Sequence, residues 1–171
     1  MKKTLYLSIL LGTSVLATLI RVYSVFFAKL NKLSNYTTGD VEIDNLLSES
    51  AIVIEKQHAF LTNYINKLFV IVMILTLLVS LYYLIRKDLK AVYSYFTYLV
   101  LALISACYRF VSLKPLVKFY SDDMMKTSIY TGENYRLVFS VVIFLVYIFI
   151  IIFNNKLKSN TKLISSAGID V

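Results

Sequence analysis

Glycine and proline are scarce in this chain, 4 and 1 among 171 residues. Helices can therefore run long without interruption, and the broken-helix plan of many transporters has little support. One cysteine, Cys107, excludes an intrachain disulfide and a zinc site built on four thiolates. It reads as a small apolar filler inside a helix. One histidine, His58, needs partners from other chains to hold a metal. The apolar runs contain no acid and no histidine, which weakens a proton-coupled transporter or cation-selective pore. No catalytic or cofactor motif appears, and no clustered set of ionisable residues suits a membrane enzyme. The expectation is a protein that is not an enzyme, with no cofactor and no metal site.

What the chain has in quantity is apolar sequence. Hydrophobic residues make up 58%, and the mean hydropathy of +0.72 is well above soluble averages. Four runs, at about 5–27, 68–85, 93–113 and 137–153, are each long enough as helix to cross a hydrocarbon core of about 30 Å. A soluble domain of this length has no interior that could bury four such helices on every side. Backbone amides in lipid must bond internally, and the runs do not alternate, so helices are expected and not a barrel. The chain reads as a single all-α integral membrane domain with four spanning helices.

The formal net charge is +8. Without a nucleic-acid module, that balance points to the positive-inside bias of membrane proteins and not to nucleic acid. With the N-terminus inside, Lys2, Lys3, Arg86, Lys87, Lys90, Lys156, Lys158 and Lys162 fall in short cytoplasmic pieces, the last three in a tail at 154–171. The outer pieces are about twice as long and hold eight of the ten acids. The expected placement is multi-pass in the plasma (cytoplasmic) membrane, with both termini cytoplasmic. Met1-Lys2-Lys3 before an apolar run also resembles a signal peptide with a cleavage point at Val15-Leu16-Ala17, but apolar character continues to Phe27. Asn35-Tyr36-Thr37 fits a glycosylation sequon, a motif common by chance. The Lys-, Asn- and Ile-rich usage suggests an AT-rich bacterial genome.

Outside the spans, residues 40–67 predict an amphipathic helix, with Asp40 as its cap and Glu42 and Asp44 in its first turn. Leu47, Ala51, Ile54, His58, Leu61 and Ile65 recur at spacings of 4 and 3, forming a coiled-coil-like seam that continues into the second span. The reading is one long helix preceding and continuous with that span, its seam covered by protein: a second copy, or the 114–136 segment. The mixed, slightly acidic polar face argues against lying flat on lipid. His58 reads as a bonded residue at a packed interface, with a pH sensor as the functional alternative. The segment 114–136 opens at Pro115 and reads as a solvated outer loop with a turn at Thr131-Gly132. Asp122-Asp123 in it are too few ligands for a calcium site.

Arg21, Arg109 and Arg136 converge on the outer-leaflet level of spans one, three and four, beside Tyr23, Tyr108 and Tyr135. Three readings stand: snorkelling to phosphates, pairing with Asp122, Asp123 or Glu133, or a ligand or lipid-headgroup site. Ser8 with Gly12, Thr13 with Ala17, and Ala102 with Ala106 give small-residue pairs suited to close helix packing. They predict the tightest contacts between spans one and three, leaving span four to face lipid or a neighbouring subunit. The expected function is that of a small bacterial membrane protein acting through protein contacts: a sensor, a scaffold, or a membrane subunit of a defence, immunity or secretion complex. Expected partners are membrane lipid, other copies of the chain and a further protein. Alternatives are an oligomeric ion-conducting pore or depolarising effector, then a membrane enzyme acting on lipid.

Overall fold

The computed structural model describes residues 5–30 and 38–166, with side chains to Asn154. The sequon at Asn35, the N-terminal lysines and the side chains of the 154–171 tail beyond Asn154 lie outside the described residues. Among those described there is no strand. Five α-helices follow one another: α1 (Leu5–Val22), α2 (Val41–Leu61), α3 (Tyr64–Ile85), α4 (Lys90–Leu113) and α5 (Asp123–Ser166). A π-helical turn, Tyr23–Phe27, extends α1, and a 3₁₀ turn, Lys114–Phe119, extends α4 at the residue before Pro115. Four helical stretches are long and apolar enough to cross a membrane: Leu5–Phe27, Tyr64–Ile85, Lys90–Phe119 and Asp123–Asn154.

The single helix expected across 40–85 is two helices. Backbone at Asn63 is extended (φ −66°, ψ 162°), and polar side chains end one helix and start the next. Thr62 Oγ1 donates to the His58 carbonyl (2.9 Å), Asn63 Oδ1 accepts from the Asn66 amide (2.8 Å), and Asn66 Nδ2 donates to the Phe60 carbonyl (2.7 Å). These side chains offer the backbone partners that compete with an unbroken helical ladder. At the other end of α2, Asp40 caps as expected, accepting from Glu42 and Ile43 amides after Gly39 at φ +84°. Thr38 donates to Asp44 from its amide and its hydroxyl, which holds the Asp44 carboxyl below the usual carboxylate range.

The segment 114–136, expected as a loop, is mostly helical. After the 3₁₀ turn, Asp122 Oδ1 accepts from the Met125 amide (2.9 Å) and caps α5. Asp123 pairs with Lys126 (2.7 Å), and among the described residues no third acid, histidine or cysteine joins the two aspartates in a cluster that could hold a cation. Thr131 and Gly132 lie inside the helix, where a single glycine is tolerated. α5 has 44 residues, about 66 Å at 1.5 Å each, and it carries the first part of the expected tail as helix.

Two apolar centres hold these helices. One joins Leu7, Leu10 and Leu11 of α1, Met73 and Leu77 of α3, Ala91, Tyr95, Tyr98 and Leu99 of α4, and Ile151 of α5. The other lies at the α2 end, where Val53, only 2% exposed, packs with Leu113, Leu116 and Tyr120. The closest backbone pairing is between α3 and α4, joined by a short hairpin that turns through Lys87 at φ 56°. The expected intimacy of spans one and three is not formed by small residues. Long tyrosines bridge α1 and α4 instead: Ser14 to Tyr95 at 2.8 Å and Thr18 to Tyr98 at 3.0 Å.

Candidate functional site: a cleft between α1, α4 and α5

The small pairs of α1 split between two faces because residues four apart share a face but successive residues differ by about 100°. Leu7, Leu10, Leu11, Ser14 and Thr18 face the core. Thr13 and Ala17 line a crevice toward α4 and α5, while Ser8 and Gly12 lie on exposed surface, with nothing within 4 Å of the Gly12 Cβ position. Ala102 and Ala106, expected to pack closely, are half-buried and line the same crevice. Cys107 is exposed on α4 and does not fill an interior gap.

The crevice has a volume of about 240 Å³. Its walls are largely apolar, among them Met73, Leu99, Leu103, Ile143 and Phe144, and Thr13 Oγ1 and Tyr147 OH share a 2.9 Å hydrogen bond at its edge. It adjoins a second cavity of about 340 Å³ through Ala17, Arg21, Ala106 and Ser140, which line both. This second cavity, still walled largely by apolar side chains, is the charged end of the cleft. Arg21, Arg109, Arg136 and Glu133 all line it, so the three arginines expected at one level do converge.

Their partners differ. Glu133, with a side chain only 7% exposed, receives Arg109 through two contacts of 3.4 Å and Arg136 through one of 2.8 Å. Helical spacing puts Glu133 and Arg136 one turn apart, and α4 brings Arg109 against Glu133. Among the described residues Arg21 has neutral hydrogen-bond partners only: the Ser105 hydroxyl and, at 3.8 Å, the Met73 sulfur. The cluster thus holds three guanidiniums and one carboxylate. Pairing with Glu133 is what the structure forms for two of the arginines, while Arg136 keeps a 64% exposed side chain. Of the neighbouring tyrosines, Tyr23 and Tyr135 are exposed, and Tyr108 packs between Phe60 and Phe69.

Of the three acids the sequence offers as partners for the arginines, Asp122, Asp123 and Glu133, the structure uses Glu133. Its signal is the Glu133-x-x-Arg136 spacing in a stretch with no proline, which is compatible with an ion-paired helix turn. Val53 is the residue that the sequence reading missed. It lies beside the seam Leu47, Ala51, Ile54, His58 and Leu61, whose members are half-buried, and it is the best-buried residue of α2; Ile65 is exposed. α2 packs on its own chain: Lys56 sits over Phe119, Ser121 donates to Glu49 from its hydroxyl (2.7 Å), and His58 Nε2 lies 3.0 Å from the Ala28 carbonyl at the end of α1's extension. His58 is thus a bonded residue at a packed contact, as expected.

No curated protein and no solved structure matches the chain. A family model described as "Domain of unknown function (DUF8777)" covers residues 1–162, and the chain belongs to that family.

Proposed function

We propose that this chain is a non-enzymatic component of the bacterial cytoplasmic membrane that works through protein contacts, beginning with a second copy of itself. The observation that supports this reading is the outward position of Ser8 and Gly12 on α1, with open space over Gly12. Helix association in lipid draws on close backbone approach, which small residues permit. Lipid chains demand no such residues, so this face suits a neighbouring helix. α5 adds a broad exposed apolar face, including Val138, Phe139, Val142 and Phe149, suited to lipid or a neighbour. Hydroxyls that a pore would need are instead engaged: Ser14, Thr18 and Thr13 with tyrosines, Ser105 with Arg21, and Thr76 with its own helix. That favours contacts over conduction.

In mild detergent, light scattering should give wild type a mass of at least two chains. Gly12→Leu should shift it to one chain without loss of helix. A monomeric wild type would sink the reading. In the orientation we favour, the Arg86–Leu89 hairpin is cytoplasmic, consistent with its Arg86 and Lys87. A cysteine at Asp88, with Cys107→Ser, should resist an impermeant thiol reagent in intact cells; rapid labelling would invert the topology.

A further inference from the structure

We propose that the cleft between α1, α4 and α5 holds one anionic phospholipid, its phosphate at Arg21 and Arg136 and one acyl chain in the crevice toward Thr13 and Tyr147. The two adjoining cavities have the polarity of such a molecule. The Thr13–Tyr147 end is walled mostly by aliphatic and aromatic side chains, and the other end sets three guanidiniums among its apolar walls. From Thr13 to Arg21 the cleft follows α1 for eight residues, about 12 Å. That is a depth suited to part of an acyl chain.

Charge selects the headgroup. Among the described residues Glu133 is the only acid lining the cationic cavity, and it is already shared by Arg109 and Arg136. Arg21 lies in the apolar stretch Leu5–Phe27 with a hydroxyl and a thioether as its partners. A guanidinium has five N–H donors and no acceptor, so two neutral contacts leave it short of acceptors, and a thioether is a weak one. A charge removed from water is costly unless paired, and a phosphate supplies both the counter-charge and several acceptor oxygens. Arg136 makes one contact to Glu133, so its fork retains donors for the same anion. A zwitterionic headgroup would bring its own cation to a cluster that already has an excess of positive charge. The site stands apart from self-association, because Ser8 and Gly12 lie on a different face of α1 from Thr13, Ala17 and Arg21.

The test uses the full chain, stripped of lipid in nonionic detergent, and three probes: phosphatidylglycerol, phosphatidylcholine with the same acyl chains, and inorganic phosphate. Native mass spectrometry reads lipid retained per chain, and thermal unfolding reads stabilisation. Phosphatidylglycerol should be retained at one per chain and raise the unfolding midpoint, with the other two probes at least about tenfold weaker. Arg21→Gln should lower phosphatidylglycerol affinity by about tenfold or more, the loss expected for charge-assisted hydrogen bonds. Ala106→Leu, which fills the junction of the two cavities without altering charge, should lower it as well. If Arg21→Gln does not fold, Ala106→Leu decides. Equal retention of the two lipids, or wild-type affinity in Ala106→Leu, would overturn the site in favour of unselective surface lipid. Inorganic phosphate binding as tightly as phosphatidylglycerol would overturn the acyl-chain half and leave a free-anion site.

Discussion

Glu133 places one negative charge between the guanidiniums of Arg109 and Arg136, and its own side chain is nearly closed to solvent. Removing one member of a buried pair costs up to about 3–5 kcal/mol, because the other member is left uncompensated. Arg136 is mostly exposed, so its loss should cost about 1 kcal/mol or less. Glu133→Gln should therefore lower the unfolding midpoint in detergent clearly more than Arg136→Gln. Equal, small shifts would show that the carboxylate is solvated and the cluster loose. At this scale the arginines were legible, since a charge inside or at the end of an apolar run stands out in any reading. Their counter-ion was legible only as one of three acids, because Asp122, Asp123 and Glu133 all look like residues of a polar loop until α5 is seen to run through Glu133. Tyr95 and Tyr98 were unreadable. A tyrosine in an apolar span has the same sequence signature whether it faces lipid or, as here, turns inward to hydrogen-bond Ser14 and Thr18. Such interhelical bonds average about 0.6 kcal/mol each, too little to leave a strong mark on residue choice.

At the scale of elements, helix and its approximate spans were set by apolar content. The four stretches of the structure contain the four runs and extend three of them outward. What apolar periodicity does not carry is a break within a continuous seam. Leu61, Ile65 and Leu68 keep the heptad spacing straight across Thr62 and Asn63, although the chain leaves the helix there. The signal was present in the polar residues, where Asn63 precedes Asn66 by three positions, a capping arrangement. Asn63→Ala should lower stability by about 1 kcal/mol through loss of the α3 cap. It should also increase proteolysis near Thr62, with Asn45→Ala on the exposed face of α2 as the control. An unchanged or higher midpoint for Asn63→Ala would mean that the cap contributes nothing and that α2 and α3 favour fusion. The loop expected at 114–136 failed for a related reason. Gly132 and two aspartates resemble turn chemistry, yet Asp122 is a helix cap and Gly132 is accommodated within a helix.

At the scale of the molecule, four long apolar helices and an additional amphipathic one were visible in the sequence, but their arrangement was not. Small residues predicted the intimacy of spans one and three. The structure instead brings α3 and α4 closest, as their short hairpin favours, and spaces α1 from α4 by tyrosines. Ala17, Ala102 and Ala106 consequently line a cleft, and Gly12 is left facing outward. That last feature carries the central claim, association of two copies through α1. Cross-linking in native membranes tests it most directly, in a Cys107→Ser background under mild oxidation. A disulfide needs Cα atoms about 4.4–6.8 Å apart, so only a closely packed pair of helices will form one. Gly12→Cys should give a covalent dimer in high yield, while Leu11→Cys, its neighbour turned into the chain's own core at 2% exposure, should give none. Absence of a dimer from Gly12→Cys, or equal yields from the two positions, would contradict the account.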